Sequence, residues 1–115
     1  MRFSGVLVYE DSPDTLRIQS LELGPDRVQF TGVTTWEGFG LWEIDAVATR
    51  MGSRFVTKNA KSRQGAGPLK PCCVEFFTLQ QEGQSLRVVG AWSEESKQYN
   101  FFGTLESSPR ASHLE

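Results

Sequence analysis

Arg27-Val-Gln-Phe-Thr-Gly-Val-Thr-Thr-Trp36 and Leu41-Trp-Glu-Ile-Asp-Ala-Val-Ala-Thr-Arg50 are two alternating runs joined by Glu37-Gly-Phe-Gly40. In the first, Val28, Phe30, Gly32, Thr34 and Trp36 share one face, and Arg27, Gln29 and Thr31 share the other. In the second, Trp42, Ile44, Ala46 and Ala48 oppose Glu43, Asp45 and Thr49. A period of two with one apolar and one polar face marks a half-buried strand, so this stretch reads as an antiparallel hairpin.

The same alternation continues in both directions. Segments 3–10, 15–23, 54–61, 73–81, 85–93 and 98–106 complete a set of eight. Every second connection is a tight turn: Gly24-Pro25-Asp26, Met51-Gly52-Ser53 and Glu82-Gly83-Gln84. The connections between them, 11–14, 37–40, 62–72 and 94–97, are longer or chemically richer. Alternate loops of a meander fall on the same end of the sheet, so one end is closed by short turns and the other carries the elaborate loops. Gly5, Gly32, Gly90 and Gly103 each interrupt an otherwise apolar face, which suits a strongly bent sheet. No window keeps a helical apolar pattern. The expectation is an all-β fold with essentially no helix: an eight-stranded antiparallel up-and-down meander barrel with a mouth.

The 115 residues form one domain by length, with the barrel in 1–106 and a disordered C-terminal tail in 107–115 whose Leu-Glu ending resembles a cloning scar. No signal-peptide pattern opens the chain, and no apolar run approaches a membrane span. Adjacent Cys72 and Cys73 point to opposite faces of a strand and are expected to stay unbridged. Together these features read as a cytoplasmic protein with no membrane partner. Lys70 is the one nearby charge that could favour a reactive thiol at the cysteine pair.

The inventory argues against an enzyme. The single histidine, His113, lies in the tail, which removes the usual base and the His/Cys zinc sites. Glu43 and Asp45 share a face but sit opposite an apolar one, and 64–68 lacks the Lys-Ser/Thr of a phosphate loop. No catalytic residue, metal ligand or cofactor is expected.

Two features point elsewhere. Trp36, Phe39 and Trp42 cluster at one hairpin tip, and Trp92 and Tyr99 flank another loop at the same end. These rings suit either a cap on the core or a binding pocket, because they join apolar area to a hydrogen-bond donor. In the binding reading, Trp36, Trp42, Trp92 and Tyr99 rim the entrance for a small, partly apolar molecule, and Thr34, Thr57, Asn59 and Thr78 are its polar contacts inside. The second feature is a segment from 46 to 74 with six basic residues and no acidic one, against six basic and 14 acidic in the remainder. Arg54, Lys58, Lys61, Arg63 and Lys70 would then form a surface for an acidic protein or nucleic acid, or would simply keep an edge soluble. Strand five, 54–61, has no apolar face. It reads either as an exposed edge, through which a homodimer could pair, or as the wall of a wet cavity.

Phe30-Thr-Gly-Val-Thr-Thr35 is similar to the third-strand motif of avidins, and Gly40-Leu-Trp42 matches in letters the Gly-x-Trp of lipocalins, on the fourth strand here rather than the first. With the eight-strand meander, the chain from 3 to 106 resembles the avidin and lipocalin group of calycin barrels. The resemblance implies a closed barrel and a preference for small ligands.

Overall fold

A computed structural model describes residues 1–36 and 40–107. The C-terminal tail from 108 onward, His113 included, and Phe39 lie outside the described residues. The chain forms β1 (Arg2–Tyr9), β2 (Thr15–Leu23), β3 (Arg27–Thr35), β4 (Leu41–Met51), β5 (Arg54–Thr57), β6 (Lys61–Arg63), β7 (Lys70–Pro71), β8 (Cys73–Glu82), β9 (Ser85–Glu94) and β10 (Lys97–Ser107). Strands β5 and β6 are consecutive pieces of one stave, and so are β7 and β8. The result is eight antiparallel staves in meander order, closed by the pairing of β1 with β10. No described residue is helical. Ser107, assigned to the tail from sequence, is the last residue of β10 and pairs with Phe3.

On β1, β3, β4, β9 and β10 the inward faces are those the alternation predicts. Phe3, Leu7, Val28, Phe30, Ile44, Leu86, Val88, Phe101 and Leu105 are buried. Leu16, Ile18 and Leu21 from β2 join them, with a register shift between Ile18 and Ser20 that keeps Leu21 inside. The interior is filled by aromatic rings meeting edge to face: Phe30 on Phe76 at 5.2 Å, Phe76 on Phe101 at 6.1 Å and Tyr9 on Phe101 at 6.0 Å between centroids. Such geometry suits the ring quadrupoles and adds to the burial gain. Gly90 pairs directly with both Phe76 and Phe101. A Cβ at this glycine would come within 2.8 Å of the Phe101 ring and press on the Glu75 carbonyl, so the two phenylalanines meet across it only because it has no side chain.

Strand five is neither an edge nor the wall of a wet cavity. β5 lies between β4 and β8, and its sequence carries an extra residue. Thr57 pairs with Ala48, but Ser62 pairs with Ile44, so five steps on one strand match four on the other. The bulge is at Lys58-Asn59-Ala60, with Asn59 at φ 57°, a left-handed conformation that asparagine tolerates better than most residues. The bulge swaps the faces. Phe55 and Thr57 point inward before it, and Ala60 and Ser62 after it; all four are buried. Thr57 Oγ1 accepts the Val74 amide at 2.9 Å, and Cys72 N donates to the Ala60 carbonyl at 3.0 Å. The 62–72 connection therefore continues as a ladder, with β6 paired to β7 and only 64–69 as its tip.

The two ends differ as their turn chemistry requires. At the closed end, Gly52 and Gly83 adopt φ of 68° and 64°. Gly24 N bonds the Arg27 carbonyl, and Arg50 Nε donates to the Pro25 carbonyl at 2.9 Å. The opposite end carries 11–14, Trp36 and Gly40, the β6–β7 tip and 95–96, and it forms the mouth.

Candidate functional site

The floor of the mouth is built from the last inward residues of three staves. Tyr9 ends the apolar face of β1, and its hydroxyl lies 2.8 Å from Thr34 Oγ1. Thr34 is also 3.1 Å from the Thr15 carbonyl and 3.2 Å from the Thr35 carbonyl, so both buried hydroxyls are satisfied. Trp92 is 1% exposed, and its Nε1 donates to Glu94 Oε2 at 2.8 Å. Its ring belongs to the core, and only its N–H reaches the rim. Burial holds the Tyr9 phenol well above its ordinary value; the Thr34 hydrogen bond opposes this, and the charges of Asp14 and Glu94 add to it.

Trp36 extends above this floor. Its ring meets Tyr99 edge to face at 4.9 Å between centroids, although β3 and β10 are separated by β1 and β2. The indole therefore reaches over the mouth. It borders two cavities and is the one described side chain common to both.

The first cavity, about 490 Å³, is bounded by Trp36, Tyr99 and Tyr9 together with the 11–14 loop and the start of β10. That loop is tightly built. Ser12 Oγ donates to Asp14 Oδ2 and Thr35 Oγ1 to Asp14 Oδ1, both at 3.0 Å, while Thr35 Oγ1 accepts the Thr15 amide. Asp11 takes a positive φ of 59° and Glu95 one of 53°, so a non-glycine residue holds the turn in two mouth loops. The second cavity, about 540 Å³, lies between Trp36 and Trp42 and is covered by the β6–β7 tip. Lys70 places its ammonium 5.3 Å from the centre of the Trp42 ring. Both volumes fall within the roughly 300–1,000 Å³ of small-molecule pockets.

The residues singled out from sequence divide accordingly. Trp36, Trp42, Tyr99 and Thr34 come together at the mouth. Thr57 is buried and used on Val74, Asn59 is exposed in the bulge, and Thr78 is half-buried beside the register shift of β8; none of the three lines either cavity. Tyr9 and Thr35 were not singled out as site residues, whereas Asp14 and Glu94 belong to the acidic loops 11–14 and 94–97 that the sequence places at this end. Their signal is a polar residue ending an inward face and a Ser-x-Asp loop that orders itself.

The basic residues meet different neighbours. Arg54 pairs with Glu75, Lys70 covers Trp42, and Lys61 and Arg63 share a shallow outer groove with Glu43 and Asp45 from β4. Lys58 is exposed at the bulge. Cys72 and Cys73 are free, and burial pushes the Cys72 thiol up to about 12, the opposite of activation; the nearby Ser62 hydroxyl acts the other way. No group of three or more His, Cys, Asp or Glu residues placed to hold a metal ion occurs among the described residues.

No protein-family model matches the chain, and no curated protein is significantly similar to it.

Proposed function

We propose that this protein is a non-enzymatic binder of a small, partly apolar molecule, taken up at the mouth rather than in the depth of the barrel. The observation that carries the reading is Trp36, held by Tyr99 across the barrel end and bordering two ligand-sized cavities. The rings below are packed against one another, so the space for a guest lies at the rim. Half-buried indole faces beside satisfied hydroxyl and carboxylate groups are the mixture that small-ligand pockets use: stacking supplies affinity and polar groups set orientation. The avidin and lipocalin resemblance, calycin kinship with it, supports the same reading at the level of fold, and two unbridged cysteines suit a reducing cytoplasm.

The test is titration with the neutral apolar dye Nile red, following dye emission and tryptophan quenching together. Wild type is expected to bind one dye per barrel, and Trp36→Ala and Trp42→Ala are expected to weaken it at least tenfold with unchanged strand circular dichroism. Equal dye binding by all three folded proteins would place the guest elsewhere and overturn the reading.

A further inference from the structure

Resting on that reading, we propose that the mouth selects a positively charged guest, an organic ammonium ion held by ring faces and a carboxylate rim. Among the described residues, the first cavity is bordered by three carboxylates, Glu10, Asp11 and Asp14, against one ammonium, Lys97. Glu10 and Asp11 are solvent-exposed. Asp14 is oriented by two hydroxyl donors, so its charge is fixed at the wall rather than left to swing. At the second cavity Glu94 is pinned by the Trp92 indole N–H. Asp14 and Glu94 both disfavour ionisation of Tyr9 at the floor, adding to the larger effect of its burial.

Negative charge around aromatic walls is the combination that attracts a cation, because ring faces carry the negative end of the aromatic quadrupole. The chain already shows this chemistry with its own group. Lys70 lays its ammonium over Trp42, inside the cavity that Glu94 also borders. Of the excess positive charge of 46–74, Lys70 alone borders either cavity; it offsets Glu94 at the second and leaves the carboxylate excess of the first unchanged. A bare metal ion is a poor match for the described carboxylates, which do not converge as a ligand set. A weakly hydrated ammonium of diffuse charge needs no such convergence. It needs a ring on one side and a negative potential on the other.

Choline and its uncharged carbon isostere dimethylbutanol separate charge from shape. With tryptophan fluorescence as readout, choline is expected to bind at least tenfold more tightly than the isostere, and its affinity is expected to fall as salt is raised. The Glu10→Gln, Asp11→Asn double substitution, on exposed side chains, is expected to shrink the ratio between the two probes. Equal affinity for both probes overturns the inference and leaves the small-molecule reading standing. So does Trp36-dependent binding of Nile red without any response to choline. Silence towards choline, dimethylbutanol and Nile red alike overturns both.

Discussion

At Gly90 there is no room for a methyl group between the Phe101 ring and the Glu75 carbonyl. Overpacking of a filled core costs typically 1–3 kcal/mol, and here one of the neighbours is backbone, so Gly90→Ala should lose about 3 kcal/mol in urea unfolding. A loss below about 0.5 kcal/mol would mean the sheet can shift there. Tyr9 is a milder case. Its hydroxyl bonds Thr34, which has carbonyl partners of its own, so Tyr9→Phe should cost only the ~1 kcal/mol of one hydrogen bond. Both inward faces concerned are legible in the sequence, because Gly90 and Tyr9 each continue an apolar alternation. That Phe76 and Phe101 close over Gly90 is not, since the pairing register of three strands has to be known first.

Among the elements, the split fifth stave is where sequence reading and structure part. Alternation across 54–61 fails because one inserted residue exchanges the faces in mid-strand: Phe55 and Thr57 are inward by one parity, Ala60 and Ser62 by the other. Read in two halves, the same residues give a buried strand. The only local sign is an asparagine, a residue that accepts positive φ, and asparagine is too common on surfaces to announce a bulge. The displaced inner candidates follow from the same cause. Asn59 falls on the bulge and Thr57 takes the Val74 amide, and neither borders a mouth cavity. Asn59→Gly should leave stability within a few tenths of a kcal/mol, because glycine adopts this φ freely. Asn59→Val should cost about 1–2 kcal/mol, since a β-branched side chain is strained in the left-handed region. Equal midpoints for the two variants in thermal unfolding would contradict the account of the bulge.

At the scale of the whole molecule, closure leaves a filled interior with its polar chemistry gathered at one end, and the arrangement of loop lengths is what made that end visible in the sequence. Which rim residues face the space between the loops was not visible, because Trp36 meets Tyr99 across two intervening staves. Burial of protonated groups also gives the fold a pH limit. The Cys72 thiol rises from an ordinary 9.0 to about 12, and Tyr9 rises from 10.0. In the unfolded chain both groups lose their protons at the ordinary values, while the folded chain keeps them. Stability is therefore full below about pH 9 and falls as pH rises towards 12. Urea midpoints measured across that window should decline less steeply for a Cys72→Ala, Tyr9→Phe double variant than for wild type. Parallel declines would show that other groups set the alkaline limit.

The central claim is that the aromatic mouth holds a small molecule. It is tested most directly by native mass spectrometry of the protein purified gently from its natural host, beside Trp36→Ala prepared in the same way. A reproducible extra mass on wild type, lost on denaturation and missing from the variant, is the expected result. A bare chain mass in both, or the same adduct on both, would contradict it.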